Sequence, residues 1–268
     1  MRVACLQVTS GPDMGKNIEV GCKSLRAAQD QGAELALMPE NVGFLGPGKE
    51  MLQQATVEPS HPALSAFCEM SAKTGMWTLI GSLAVLDASG SLVNRSFLVN
   101  GTGSIVARYD KIHMFDVDLP GGEQYRESDR YKPGAAACLA STPWATIGLT
   151  VCYDIRFPHL YRRLAQQGAQ VFTVPSAFTR PTGVAHWHVL LRARAIENGC
   201  YVLAPAQCGI HYGKRATYGH SLIVDPWGEI LEDAGQDPGL IVAELDLTKV
   251  ISARNSLPSL HHDRSFEM

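Results

Sequence analysis

Short apolar runs alternate with segments of helical periodicity in both halves of the chain. Residues 3–8 are apolar except for Gln7, and in the segment 14–31 apolar residues recur at every third or fourth position. The same order returns later, where the apolar run 145–151 precedes a helical pattern over 158–167. Short apolar runs indicate buried strands and the longer period indicates amphipathic helices, so both halves are predicted to contain β-α units.

Three strand-like runs in the middle of the chain are joined by short turns. They span residues 77–86, 92–100 and 104–109, and Gly90 and Gly103 lie in the turns between them. Such turns are typical of antiparallel hairpins. Hairpins combined with β-α units predict an α/β fold with mixed sheets, and they are compatible with two sheets packed face to face between outer helices.

The same patterns predict the remaining elements. Helices are predicted over 62–74, 183–197 and 248–255, and strands over 35–38, 171–174, 201–204, 218–224, 230–231 and 240–245. The polar residues 112–134 show little periodicity and are predicted to form a long loop, which in a compact domain is usually functional or disordered. No linker, internal repeat or low-complexity segment divides the chain, so we expect one domain over residues 1–268.

The charge and composition exclude several classes of protein. The formal net charge is −3, from 23 basic and 26 acidic residues, and no Lys/Arg-rich run occurs, so a nucleic-acid partner is not expected. No apolar run approaches the length of a membrane span, and the N-terminus is too quickly polar for a signal peptide, so we expect a cytoplasmic protein without a membrane partner. The cysteines show no C-x-x-C spacing, so neither a disulfide framework nor a zinc site is predicted.

Three chemically active side chains follow predicted strands. Glu40, Lys111 and Cys152 each come directly or shortly after the end of such a strand. Each of these residue types, taken alone, is more often a surface or packing residue than a functional one. In open α/β sheets, however, ligands bind at the carboxyl ends of strands. The shared position therefore predicts that a carboxylate, an ammonium group and a thiol converge.

These three groups match the requirements of nucleophilic catalysis. A strand, a sharp turn at Cys152 and a helical pattern follow one another, and this arrangement projects a nucleophile above a sheet. A thiol attacks as the thiolate, and Glu40 can take its proton. Lys111 and the N–H group of Tyr153 can stabilise the oxyanion of a tetrahedral intermediate. The pattern indicates hydrolysis through a thioester, and a non-catalytic binding or scaffold protein is the alternative from a different class.

The histidines and glycines favour neither a metal site nor a nucleotide site. His113, His186, His188 and His220 are scattered, and the i,i+2 spacing of His186 and His188 does not place both on one helix face. No H-E-x-x-H or G-x-G-x-x-G motif occurs, so no metal and no cofactor are expected. These histidines are predicted to be surface or core residues.

Three motifs occur in order along the chain. They are Leu37-Met38-Pro39-Glu40, Tyr109-Asp110-Lys111-Ile112-His113 and Gly148-Leu149-Thr150-Val151-Cys152-Tyr153-Asp154-Ile155-Arg156-Phe157-Pro158. Together they resemble the nitrilase, or carbon-nitrogen hydrolase, superfamily, and the resemblance covers nearly the whole chain. It implies a four-layer α-β-β-α sandwich of two mixed sheets, assembled as a homodimer or a higher homo-oligomer. It also implies Glu40 as base, Lys111 as oxyanion partner and Cys152 as nucleophile, with Glu127 as a second glutamate that orients the lysine and the substrate.

Two further segments, 113–121 and 185–198, are similar to the small-amidase branch of this superfamily. Members of the branch hydrolyse deaminated glutathione or α-ketoglutaramate, so the resemblance implies a thiol amidase for a small carboxylated amide. The segments 206–209, 214–220 and 224–228 look closer to the amidases of deaminated glutathione, whereas His188 stands where a glutamate is expected. The alternatives are an ω-amidase for α-ketoglutaramate or a hydrolase of another small amide or nitrile.

A substrate carboxylate requires a cation in the site. Arg156, one turn beyond the nucleophile, and Arg180 are the predicted partners, and Tyr153 and Phe178 are also predicted to contact the substrate. A structural salt bridge of Arg156 with a nearby carboxylate fits the sequence equally well. Arg180 also fits a surface position, and Phe178 also fits a position in the core.

Overall fold

Two mixed β-sheets form the centre of the protein in the computed structural model, which describes residues 1–119, 122–213 and 215–268. The strands in these ranges are β1 (Arg2–Gln7), β2 (Leu35–Leu37), β3 (Thr56–Val57), β4 (Trp77–Leu86), β5 (Leu92–Val99), β6 (Ile105–Asp110), β7 (Asp116–Asp118), β8 (Gln124–Arg126), β9 (Cys138–Ser141), β10 (Thr146–Leu149), β11 (Val171–Thr173), β12 (Tyr201–Ala204), β13 (Cys208–His211), β14 (Arg215–Tyr218), β15 (Leu222–Val224), β16 (Ile230–Asp233) and β17 (Gly239–Glu244). The helices are α1 (Met14–Asp30), α2 (Gly48–Gln54), α3 (Pro62–Thr74), α4 (Pro158–Gln166), α5 (Arg180–Asn198) and α6 (Thr248–Ser256).

The parallel strand pairs lie in the middle of each sheet. The first sheet has the order β17-β1-β2-β4-β5-β6, with the short β3 beside β4, and β2 pairs parallel with both β1 and β4. The second sheet has the order β16-β15-β12-β11-β10-β9, and β11 pairs parallel with both β10 and β12. Glu40 follows β2 and Cys152 follows β10, so both lie beyond the carboxyl ends of parallel strands.

Neighbouring residues of β1 enter two different cores, and this alternation reveals the layer order. Val3 packs among residues of the second sheet, whereas Ala4 packs with Leu25 of α1 and Phe67 of α3. Trp187 of α5 belongs to the same core as Val3. Because strand side chains alternate between the two faces of a sheet, the order is helix, sheet, sheet, helix. This confirms the four-layer α-β-β-α sandwich.

The helices begin and end at local sequence signals. The Asp13 side chain caps α1 by accepting a hydrogen bond from the Lys16 N–H at 3.1 Å. α3 begins at Pro62 and ends before Gly75, whose φ of 70° is left-handed. α5 begins earlier than predicted because Pro181 is tolerated in the first turn of a helix, where its missing N–H is not needed.

The polar segment 112–134 contains regular structure that was not predicted. β7 and β8 form a hairpin within it, and a single 3-10 turn, Glu127–Asp129, follows. β7 and β8 are three residues long and mostly polar, so they show neither an apolar run nor a period. The four-residue strands β9, β13 and β14 were not predicted either. Pro120, Gly121 and Lys214 of the motif segments lie outside the described residues. In the part of the chain that is described, no helix is both long and apolar enough to cross a membrane.

Candidate active site

Cys152 lies in a strained turn between β10 and α4. Its φ of 49° is left-handed, a conformation that residues other than glycine rarely adopt. The Cys152 N–H donates to the Pro175 carbonyl at 3.0 Å, and the Val151 N–H donates to the Asp154 carboxylate at 2.9 Å. These bonds hold the turn, and with it the thiol, beyond the end of β10.

Asp154 connects this turn to the segment that carries Lys111. Its carboxylate is fully buried and accepts hydrogen bonds from the Tyr109 hydroxyl at 2.7 Å and from the His113 N–H at 3.1 Å. The His113 Nδ1 lies 2.6 Å from the same carboxylate. Because Tyr109 and His113 flank Lys111, one carboxylate holds the two strand ends in a fixed relation.

Glu40 reaches the site because the chain after β2 passes very close to β4. A Cβ atom at Gly81 would lie 2.0 Å from the Met38 carbonyl oxygen, so only glycine permits this approach. The Glu40 side chain is almost fully buried, and its Oε2 accepts a hydrogen bond from the Ala177 N–H at 2.8 Å. The Gln207 Nε2 donates to the Glu40 carbonyl oxygen at 2.9 Å. Residues from the second half of the chain therefore hold both the backbone and the side chain of Glu40.

Lys111 lies between two glutamates in the wall of the site. Its Nζ is 3.1 Å from Glu40 Oε1 and 2.7 Å from Glu127 Oε2, and its side chain is 2% exposed. The Asn94 Nδ2 donates to both carboxylates, to Glu40 Oε1 at 2.9 Å and to Glu127 Oε1 at 3.2 Å. The Phe115 N–H donates to Glu127 Oε2 at 2.7 Å. The oxygens of both glutamates are thus engaged in one buried network.

The charges in this network determine the protonation state of each group. Burial alone would raise the pKa of Glu40, but the charge of Lys111 and hydrogen bonds from Cys152 and the Ala177 N–H outweigh burial and lower the pKa below its usual 4.5. Burial would lower the pKa of Lys111, but the charges of Glu127 and Glu40 raise it well above 10.5. Burial, reinforced by the charge of Glu40, raises the pKa of the Cys152 thiol above 9.0. At neutral pH the site holds a carboxylate, an ammonium group and a neutral thiol.

An open pocket exposes these groups to a ligand. The structure brings the following predicted residues into its lining: Glu40, Lys111, Glu127, Cys152, Tyr153 and Phe178. At the Cys152 turn, the N–H groups of Cys152 and Asp154 already donate to backbone carbonyls, whereas within the described residues the Tyr153 N–H donates to none. A donor is therefore available beside the thiol, where an oxyanion would form.

The two arginines predicted to bind substrate lie outside the pocket lining. Arg156 packs on two residues of the lining, with its guanidinium carbon 5.8 Å from the centre of the Tyr153 ring and 5.4 Å from that of Phe178. Its Nη2 lies 3.2 Å from His186 Nδ1, and Arg180 is exposed at the start of α5. This placement supports neither predicted role, because sequence spacing places a residue near a turn but does not decide whether its side chain enters the pocket.

Sequence reasoning missed several polar groups of the site. Asn94 bridges the two glutamates, and Asn41, Tyr131 and Arg215 line the pocket. The sequence signal at Asn94 was weak, because Asn94 is the first of three consecutive polar residues, Asn94 to Ser96, within a predicted strand. Arg215 lies in a polar segment that is indistinguishable from a surface turn by composition.

A histidine and aspartate cluster lies apart from the pocket. His188, His220 and Asp233 each place one ligand-type atom within 4.8 Å of the others. The Asp233 carboxylate lies 3.1 Å from His188 Nε2 and 2.9 Å from His220 Nδ1. The spacing of the histidines did not predict this grouping, because its members come from α5, from the connection between β14 and β15, and from β16. The hydrogen bonds tie these three elements together.

Residues 2–255 match the family described as carbon-nitrogen hydrolase. The deaminated glutathione amidase of Synechocystis sp. is 44% identical over 264 residues, which cover 97% of this chain and 96% of that protein. The crystal structure of the NitFhit protein of C. elegans has a TM-score of 0.92 and 36% identity, over 98% of this chain and 65% of that one.

An amidase from Nesterenkonia sp. AN1 is also similar, with a TM-score of 0.82 and 29% identity over 96% of this chain and 98% of that one. That structure is of a glutamate-to-glutamine mutant in which acrylamide has added to the active site cysteine. The family match covers nearly all of the sequence, and it agrees with the architecture that this chain shares with the two solved structures and with the site described above. The chain belongs to the carbon-nitrogen hydrolase family, and it is a hydrolase of the amidase type.

Proposed function

We propose that the protein is a cysteine amidase in which Cys152 is the nucleophile, Glu40 the proton carrier and Lys111 the oxyanion partner. The observation that carries the proposal is the position of Glu40, which hydrogen-bonds with Lys111 in the same pocket wall that presents the Cys152 thiol. The low pKa of Glu40 keeps it ionised, so that it can accept the thiol proton at neutral pH. The active site cysteine of the Nesterenkonia amidase supports the choice of nucleophile.

The first half of the reaction forms a thioester. Sγ of Cys152 attacks the carbonyl carbon of the amide while Glu40 takes the thiol proton. The carbonyl oxygen becomes an oxyanion that the Lys111 Nζ and the Tyr153 N–H stabilise. The tetrahedral intermediate then breaks its C–N bond, and Glu40 gives its proton to the leaving nitrogen. The amine departs and the acyl group remains on Cys152.

The second half returns the free enzyme. Water attacks the thioester carbon while Glu40 takes one of its protons, and the same two donors stabilise the second oxyanion. The C–S bond breaks, the carboxylic acid leaves, and the proton on Glu40 returns to the thiolate. Glu127 holds Lys111 in place at 2.7 Å and keeps it cationic through both halves.

The proposed substrate is deaminated glutathione. The relative from Synechocystis sp. supports it, since it is a deaminated glutathione amidase that aligns over nearly the whole of both chains. An ω-amidase acting on α-ketoglutaramate, or a hydrolase of another small amide or nitrile, is the second candidate, because the same groups would act on any unhindered amide. The ratio of kcat/KM for deaminated glutathione and α-ketoglutaramate decides between them.

The decisive experiment compares two cysteine variants. Cys152→Ala is expected to abolish amide hydrolysis, and the wild-type protein mixed with substrate is expected to show an acyl adduct on the peptide that contains Cys152. Cys138→Ala is the control, because Cys138 lies on β9 and outside the pocket lining. Hydrolysis retained by Cys152→Ala would exclude the mechanism, and a wild-type protein that turns over no amide would favour a binding protein.

A single domain over residues 1–268, a homodimer or higher homo-oligomer and a cytoplasmic location also belong to this proposal. One cooperative unfolding transition would support the single domain. Light scattering of the purified protein tests the assembly, and cell fractionation tests the location.

A further inference from the structure

Three buried polar atoms in the pocket wall have no hydrogen-bond partner within the described residues. They are the Asn41 Oδ1, the Tyr131 hydroxyl and the Arg215 Nε. Buried polar atoms in native proteins are nearly always hydrogen-bonded, so unpaired ones that line a pocket point to a bound partner. Their position in one pocket indicates a polar ligand.

Arg215 is held rigidly in this wall. The Arg215 Nη2 donates a hydrogen bond to the Ala177 carbonyl at 2.8 Å, and the guanidinium carbon lies 5.6 Å from the centre of the Tyr125 ring. A guanidinium fixed by a backbone bond and an aromatic face loses little freedom when it binds an anion. The Nε and the remaining N–H groups of Arg215 are thus held in place to donate hydrogen bonds to an anion.

The charge of Arg215 is not neutralised within the described residues, where none of the ion pairs includes it. The two carboxylates of the site are engaged elsewhere, since Glu40 and Glu127 already accept hydrogen bonds from Lys111, Asn94 and backbone N–H groups. Arg215 is close enough to Glu40 for its charge to contribute to the lowered pKa of that residue. A free guanidinium therefore lies near the reacting groups.

The other arginines of the lining are less suited to this role. Arg126 is paired with Asp118 through two contacts of 2.8 and 2.9 Å, and it also donates to two backbone carbonyls. Arg130 is exposed at the rim of the pocket. Arg215 alone among the three combines partial burial with an unpaired donor.

We infer that Arg215 binds a carboxylate of the substrate and selects carboxylated amides over neutral ones. This inference rests on the proposed amidase function, and it assigns to Arg215 the role that the sequence assigned to Arg156 and Arg180. The chemical class of the ligand is a small amide that carries at least one carboxylate. A guanidinium matches the planar carboxylate and cannot lose its charge at any physiological pH.

The test uses three amides with wild type and Arg215→Met. Glutaramate carries a carboxylate in its acyl half, N-pentanoylglycine carries one in its amine half, and 5-methylhexanamide is a neutral match of glutaramate. Arg215→Met is expected to lower kcat/KM about 10- to 100-fold on at least one carboxylated amide, as the loss of a hydrogen bond to a charged group predicts. The neutral amide is expected to change by less than about 3-fold.

Two variants sharpen the result. Arg215→Lys keeps the charge but not the planar fork, so it is expected to restore part of the selectivity. Arg180→Met is the matched control, because it removes an exposed arginine outside the pocket and should change none of the three values. Equal changes on all three amides for Arg215→Met, or no change on any, would overturn the inference.

A binding measurement separates this inference from the proposed function. Titration calorimetry with glutaramate is carried out on Cys152→Ala and on Cys152→Ala combined with Arg215→Met, so that no turnover is needed. An affinity at least about 10-fold weaker in the double variant supports the carboxylate site, and equal affinities contradict it. Wild type that hydrolyses none of the amides contradicts the amidase mechanism, whatever the calorimetry shows.

Discussion

Replacing Asp154 with asparagine tests whether one buried carboxylate holds the two strand ends of the site together. Its Oδ2 accepts hydrogen bonds from the Tyr109 hydroxyl at 2.7 Å and the Val151 N–H at 2.9 Å. Its Oδ1 accepts from the His113 N–H at 3.1 Å and lies 2.6 Å from the His113 Nδ1. Asparagine keeps one oxygen and places an NH₂ group at the other position, so one pair of donors loses its acceptor.

Each pair contains one partner that can adapt and one that cannot. The Tyr109 hydroxyl can turn to accept, and the His113 ring can change tautomer. The N–H groups of Val151 and His113 cannot, so either orientation of the asparagine leaves one buried backbone donor unsatisfied. That donor costs about 1–3 kcal/mol, and the loss of the carboxylate charge weakens the remaining bonds. We expect the free energy of unfolding to fall by about 2–4 kcal/mol.

The same change should move Cys152 relative to Lys111. Misplacement of reacting groups by about 1 Å costs on the order of 100-fold in rate, so kcat should fall by about 10- to 100-fold under conditions where the variant is folded. Urea unfolding followed by circular dichroism measures the stability, and steady-state hydrolysis of the preferred amide measures kcat.

Asp225→Asn is the matched control. Asp225 is also buried and accepts hydrogen bonds from the N–H groups of Trp227 and Glu229 at 2.9 and 3.0 Å, but it lies outside the pocket. It should lose stability while kcat stays unchanged. If Asp154→Asn loses no more kcat than Asp225→Asn, or if its stability is unchanged, the carboxylate does not position the site.

Two other features of the structure lead to measurable outcomes. The value of kcat/KM should be constant from neutral to mildly alkaline pH and should fall in acid. The acid fall is expected because the base form of Glu40 is lost only as the pH drops through a pKa below 4.5. No fall is expected at mildly alkaline pH because the pKa values of Lys111 and Cys152 lie above 10.5 and 9.0. An alkaline decline that begins below pH 9.0 would contradict the neutral thiol and the cationic lysine. Gly81→Ala should displace the backbone that precedes Glu40, because the new Cβ would lie 2.0 Å from the Met38 carbonyl oxygen. Overpacking of this kind lowers the free energy of unfolding by about 1–3 kcal/mol. Gly239→Ala, at a strand position with open space around the added carbon, is the control, and equal stability and kcat in the two variants would refute the argument.

The sequence predicted the elements whose signals are local. α3 lies where the pattern placed it, between Pro62 and Gly75, because a proline that starts a helix and a glycine that ends it act on their own backbone. The four-layer order, which the structure confirms, was predicted from the resemblance to a family. Periodicity alone supported only mixed sheets. The hairpin of β7 and β8 was missed because it is short and polar on both strands, and its stability comes from contacts that no local period records.

The positions of Glu40, Lys111 and Cys152 at strand ends were readable from the sequence, because a buried strand shows its end as a change from apolar to polar residues. Which side chains accompany them was decided only by the tertiary structure. Asn94 and Arg215 come from strands far apart in the chain, and their side chains face the site because of how β5 and β14 are placed in the fold. Sequence spacing specifies the distance along the chain, but the direction of a side chain relative to a distant strand depends on pairing and packing between residues that are remote in sequence. This is why Arg215 lines the pocket, whereas Arg156, one turn from the nucleophile, lies outside the lining and stacks on Phe178.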